Sequence, residues 1–278
     1  GKGGGKGGGK GGGKGKGWDE RGRLQDLLLR FEQAEADYSH PVTAPRYRWR
    51  SAKTALERHG HVESLRLRLA GPACALLLGD SHFERLHRSA SASAALRGAA
   101  VHAVGGDGAE HLLMRLHLTW RGCLAEAHAQ AFVLLVGINN LLGGAGETHT
   151  RRSTRATPAQ VAAGLQRIVE LLRAASGASS VTGQPSTVYV CHCMHVLGAE
   201  AAEDSKWGAL LPEEINPRVD ELNGLIDQLR DCAVVPLRMP REPSHFEPDG
   251  LHLSEHTGYP MLLAQLAAHV PLLVPSAR

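Results

Sequence analysis

Hydrophobic positions along the chain change their rhythm near residue 70. From Trp18 to Leu69 apolar residues recur at helical spacing, with Leu24, Leu27, Leu28 and Phe31 on one face. After a break at Pro41–Pro45, Trp49, Leu56, Val62, Leu65 and Leu69 continue the pattern. From Ala73 onward, short and uniformly apolar runs alternate with helical segments. The runs are Cys74–Leu78, Ala99–Val104, Phe132–Val136, Thr187–Cys191 and Ala233–Leu237. Runs without in–out alternation suit strands covered on both faces, and their alternation with helices predicts a parallel sheet with crossover connections. Two helix starts are marked. Thr157-Pro158-Ala159-Gln160 offers an N-cap, a Pro at the first helical position and a capping-box Gln. Asn216-Pro217 predicts a second start, with Val219, Leu222, Ile226 and Leu229 facing inward. The expected architecture is one three-layer α/β/α domain with five strands over 71–278. A helical extension over 18–70 and a disordered tail over 1–17 precede it.

Composition changes the picture in one place. The chain has 278 residues and a formal net charge of +3. Five of its 31 basic residues lie in the Gly/Lys repeat of residues 1–17, leaving 26 against 28 acidic residues in the rest. The body therefore carries no nucleic-acid footprint, and the tail reads as a solvated spacer or a weak polycation. No apolar run reaches the roughly 18 residues of a membrane span. The N-terminus lacks the apolar core of a secretory signal and also lacks Met, so the true start can be missing. Five Cys is an odd, sparse count that does not resemble a disulfide framework, which favours a reducing, cytoplasmic compartment.

Ligands of such sheets bind beyond the carboxyl ends of the strands, and four sequence features fall there. Gly79-Asp80-Ser81-His82 follows the first strand, where Ser81 is either a rim nucleophile or part of an ordinary helix cap. Gly105-Gly106-Asp107 follows the second, as a plain turn or a close backbone approach to a ligand. Gly137-Ile138-Asn139-Asn140 follows the third, as a turn-forming Asn pair or an amide donor. Asp249-Gly250-Leu251-His252 lies near the C-terminus, as a surface pair or an oriented imidazole.

Together and in this order, the four blocks resemble those of the SGNH (GDSL-type) hydrolases: G-D-S, a Gly, G-x-N-D and D-x-x-H. The G-G-D stretch and the Asn pair look most like the branch containing platelet-activating-factor acetylhydrolase catalytic subunits. The likeness runs from about Ala73 to Val270. It implies a flavodoxin-like sheet and a serine esterase for small-molecule or lipid esters, with acetyl groups favoured. Ser81 would be the nucleophile, His252 the base and Asp249 its orienting acid. The N–H groups of Ser81 and Gly106 and the amide of Asn139 would form the oxyanion hole. No cofactor or metal is implied, and a homodimer is implied only by the branch. Three features depart from the family: Asn140 where Asp is frequent, His82 where an apolar residue is usual, and one extra residue between His252 and Gly258-Tyr259.

His82, Asn140 and His195 are further candidates for the substrate pocket. Cys191-His192-Cys193-Met194-His195 looks like a metal cluster, with strand alternation placing Cys191, Cys193 and His195 on one face. Its spacing suits zinc poorly, and buried Cys with a rim His is the expectation. Other His, including His59, His61, His87 and His102, read as solvated or packing residues. Arg151-Arg152-Ser153-Thr154-Arg155 reads as a solvated loop, or as a selector of acidic or phosphate-bearing substrates. Two other functions fit less well. One is a catalytically silent module that binds an acylated ligand. The other is a phosphate or nucleotide binder using Gly105–Gly108, which lacks a P-loop or dinucleotide fingerprint.

Overall fold

The computed structural model describes residues 75–89, 96, 99–116, 129–142, 156–179, 185–198 and 212–273. The Gly/Lys tail, the helical extension over 18–70, Cys74, Cys123 and the Arg151–Arg155 loop lie outside them.

Five strands form one parallel sheet: β1 (Ala75–Gly79), β2 (Ala99–Ala103), β3 (Ala131–Leu135), β4 (Thr187–Cys191) and β5 (Ala233–Val235), in spatial order β2-β1-β3-β4-β5. Helices α1 (Ser81–Arg88), α2 (Ala109–Arg115), α3 (Ile138–Leu142), α4 (Pro158–Ser179), α5 (Pro212–Ile226) and α6 (Gly258–His269) are interspersed between and after them. Register is simple: Gly79 at the end of β1 lies opposite Ala103 of β2 and Leu135 of β3. The chain passes from β1 to β2 on one side, then from β2 across to β3 on the other side of β1. That reversal opens a crevice at the carboxyl ends, where α/β sheets of this order bind ligands.

The uniformly apolar strands divide their residues by parity, because successive side chains point to opposite faces. Leu76, Leu78, Phe132, Leu134, Val188 and Val190 join one core with residues of α2, α3, α4 and α5. Leu77, Val133, Leu135, Cys191 and Val235 join the other with Phe83 and Leu86 of α1 and with Leu262 and Leu266 of α6. Each buried Leu of this kind contributes roughly 1.5–3 kcal/mol. The expected three-layer, five-stranded arrangement is what the structure has. Among the described residues, no helix is long and apolar enough to cross a membrane.

Local predictions fare differently. The capping box at Thr157 is present: Gln160 N–H donates to Thr157 Oγ1 (3.2 Å), and Thr157 N–H donates to Gln160 Oε1 (2.9 Å). The start at Asn216-Pro217 is not. Helix α5 begins at Pro212, and Pro217 lies inside it. Pro is well placed at a first helical position, and Glu213 and Glu214 in the first turn suit the positive end of the helix dipole. Asn216 is used elsewhere: its amide donates to the Val196 carbonyl (3.0 Å), and its Oδ1 accepts from the Val196 N–H (2.9 Å). One turn pair later, Asn223 grips the Cys193 backbone in the same way, at 3.0 and 2.8 Å. Together they hold the extended segment after β4 against α5.

Candidate active site

Ser81 opens α1 directly after β1, where the helix N-terminus leaves its N–H without an intrahelical acceptor. Asp80 caps this helix, its Oδ1 accepting from the His82 N–H at 3.0 Å. The two readings of Asp80-Ser81 are thus compatible, since the cap belongs to Asp80 and the Ser81 hydroxyl faces elsewhere. Ser81 Oγ lies 2.9 Å from His252 Nε2, and His252 Nδ1 lies 2.6 Å from Asp249 Oδ2. With Nδ1–H donating to a carboxylate, Nε2 is left as the acceptor for the serine hydroxyl.

The Asp249 turn is built to hold that pair. Asp249 Oδ1 accepts from the N–H groups of Leu251 (3.0 Å) and His252 (2.9 Å). Gly250 adopts φ +63°, and a Cβ there would stand 2.4 Å from the Gly198 carbonyl oxygen. Only glycine satisfies both demands. Burial by itself would raise the Asp249 pKa, but hydrogen bonds from the His252 ring and backbone outweigh it. The carboxyl is held well below the usual carboxylate range.

The Gly105-Gly106-Asp107 segment is a tight turn. The Asp107 N–H donates back to the Val104 carbonyl (3.1 Å), and Gly106 has φ +86°, as the third position of a type II turn requires. The N–H of Gly105 donates to Glu84 Oε2 at 2.7 Å. Among the described residues no group accepts from the N–H of Gly106. An added Cβ on Gly105 would meet Ser81 Cβ at 3.6 Å, so the turn lies directly against the serine. Asn139, in the first turn of α3, donates its amide to the Asp107 carbonyl at 3.0 Å. That bond uses one of its two N–H groups.

The other candidates are placed less uniformly. His82 is buried beside His252, with the two ring centroids 5.8 Å apart. Burial, with the charge of His252 and Arg85, lowers its pKa to about 3. Asn140 turns toward α2, accepting from the Ala109 N–H (2.8 Å) and donating to Glu110. His195 receives a hydrogen bond from Arg241 at Nδ1 (2.9 Å) and meets Asp220 at Nε2 (2.7 Å). The structure gives both ring nitrogens protein partners.

The Cys191–His195 segment departs from the expected alternation. Cys191 belongs to the core under α1 and α6, and Cys193 to the core under α4 and α5. Strand β4 ends at Cys191, so the two-residue period ends there as well. Burial raises both thiols, Cys193 to about 12, which opposes thiolate ligation.

Two residues of the site were not signalled by any motif. Glu84 holds Gly105, and its position three after Ser81 on a helix is the only hint of a shared face. Arg115, at the end of α2, has a side chain only 1% exposed, with Nη2 2.8 Å from Asp107 Oδ2 and Nη1 3.0 Å from His102 Nδ1. A single Arg within Leu112-Leu113-Met114-Arg115-Leu116 carries no readable pattern.

No protein-family model matches the chain, and no curated protein sequence does. Solved structures do. A GDSL-like lipase from Bacteroides thetaiotaomicron VPI-5482 aligns with a TM-score of 0.55 at 15% identity, over 77% of this chain and 97% of that one. A protein from Bacteroides fragilis NCTC 9343 named as an acylhydrolase gives 0.52 at 15% identity, over 77% and 98%. One from Streptococcus pneumonia, named for platelet activating factor, gives 0.51 at 17% identity, over 77% and 94%. At these identities the likeness is one of fold. The chain thus shares the three-layer α/β/α fold of a GDSL-like lipase.

Proposed function

We propose that this chain is a serine esterase of the SGNH type, hydrolysing carboxylic esters with short acyl groups, acetyl foremost. The observation that carries the reading is the unbroken hydrogen-bond chain from Ser81 through His252 to Asp249. It sits at the crevice where the sheet reverses its order. In this reading His252 Nε2 takes the hydroxyl proton as Ser81 Oγ bonds to the ester carbonyl carbon. Asp249 stabilises the imidazolium that forms. The carbonyl oxygen, now negative, is met by the N–H groups of Ser81 and Gly106 and by the second amide hydrogen of Asn139. Each such donor typically contributes about 2.7–4 kcal/mol to the transition state. As the tetrahedral species collapses, the alcohol leaves with the proton from His252. Water, deprotonated by His252, then releases the acid from Ser81. The preference for short acyl groups rests on the sequence resemblance to the acetylhydrolase branch. His82 forms part of the wall beside His252. Asn140 and His195 act at one remove, through α2 and α5.

The test is initial-rate hydrolysis of p-nitrophenyl acetate, butyrate and octanoate by wild type and Ser81→Ala. The acetate is expected to be the best substrate, and the variant to lose at least ~100-fold in kcat/KM. Equal rates in both proteins would remove Ser81 from the chemistry. A folded wild type inactive on all three would put a binding module ahead of an esterase.

A further inference from the structure

An oxyanion hole works only when its donors are fixed before charge develops, yet the turn that carries Gly106 is two glycines long and has little stiffness of its own. Glu84 restrains it from the side of α1. On its other side stands Arg115, the largest fully buried side chain among the described residues. Its guanidinium spans two elements, pairing with Asp107 of the turn and donating to His102 of β2. His102 lies in register with Leu78 of β1, the strand that delivers Ser81. The Asp107 carbonyl in turn accepts the Asn139 amide. Two of the three proposed donors therefore depend on one residue, and that residue is tied to the sheet through Arg115.

A buried ion pair is a weak device for stability, because desolvating both charges offsets their attraction. Its planar guanidinium is, however, a strong device for geometry, since one rigid group that donates to His102 and meets Asp107 as an ion pair fixes the two relative to each other. We infer that Arg115 is a positioning residue of the active site: it holds Asp107 against β2 so that the Gly106 N–H and the Asn139 amide stay aimed at the carbonyl oxygen attacked by Ser81. This inference rests on the ester-hydrolase reading.

The experiment measures the second-order rate constant for phosphonylation by a fluorophosphonate, in which Ser81 Oγ displaces fluoride and builds negative charge on a phosphoryl oxygen. It compares full-length wild type, Arg115→Met, Arg115→Lys and Asp107→Asn, with rates expressed per titratable serine and the adduct located by mass spectrometry. Arg115→Met is expected to slow labelling about 10- to 100-fold per site, because misaligning donors costs less than the roughly 100-fold or more lost when one is removed outright. Arg115→Lys, keeping charge without the fork, is expected to lie between. A purely structural role would reduce the amount of labelled protein and leave the rate per site unchanged. Asp107→Asn, nearly isosteric, keeps the test available if Arg115→Met does not fold. Reactive wild type with variants within twofold of it would overturn the Arg115 inference alone. A wild type whose Ser81 fails to react would sink the esterase reading and this inference with it.

Discussion

Asp80 and His82 flank the proposed nucleophile, and both are buried. Asp80 Oδ1 receives the His82 N–H, while Oδ2 finds no hydrogen-bond partner among the described residues. Burial, reinforced by Asp107, raises the Asp80 pKa from 3.8 to about 7, and burial lowers that of His82 from 6.5 to about 3. The two act on stability with opposite signs. Folded Asp80 keeps a proton that the unfolded chain releases, so its contribution falls as pH rises through roughly 4 to 7. Folded His82 refuses a proton that the unfolded chain takes up, so its contribution rises over roughly 3 to 6.5. Asp80→Asn retains the cap and is expected to leave the His82 slope exposed, with stability increasing from pH 4 to 7 by an amount on the order of a few kcal/mol. His82→Phe is expected to show the reverse slope. Urea melts across this range decide the matter, and identical pH profiles in all three proteins would refute it. At this scale the chemistry-bearing residues were legible because Asp-Ser and Asp-x-x-His are local patterns. Glu84 and Arg115 were not, because their partners lie 21 positions away in one case and in a separate turn and strand in the other.

Among the elements, α4 behaved as its sequence indicated, since a capping box involves only four consecutive residues. Helix α5 did not, and the reason is instructive. Pro212 and Pro217 are both acceptable first-turn residues, and the acidic pair Glu213-Glu214 following Pro212 was the deciding local signal. Asn216, read as part of a helix start, instead serves as a backbone mimic. Asn216 and Asn223 lie two turns apart on α5, and each satisfies both backbone groups of one residue in the segment after β4. Removing either side chain strands an N–H and a C=O together. Asn216→Ala and Asn223→Ala are each expected to destabilise the fold by about 1–3 kcal/mol. Chemical denaturation measures it; losses below about 0.5 kcal/mol would mean that water replaces the amide without cost. No periodicity reports such a contact, because an Asn on a helix looks the same whether it faces solvent or a neighbouring chain.

For the molecule as a whole, the sheet is covered on both faces, and adjacent strand residues belong to different cores. Leu134 lies under α4 and α5, and Leu135 lies under α1 and α6. Leu134→Ala and Leu135→Ala are therefore both expected to cost about 2–5 kcal/mol in thermal or urea unfolding. A near-neutral result at one of them would mean a sheet open on that side. The same architecture separates what could be read from what could not. The amino-acid sequence by itself determined the layers, the five strands and the four blocks at their carboxyl ends, because burial period and turn chemistry depend on residues a few positions apart. Only the tertiary structure decided which side chains meet. It brought Ser81 to His252 across 171 positions, turned Asn140 toward α2 and His195 toward α5, and sent Cys191 and Cys193 to opposite cores. A pattern states which face a residue takes; its partner is set by strand order and by the competition among all the polar groups that folding gathers at one rim.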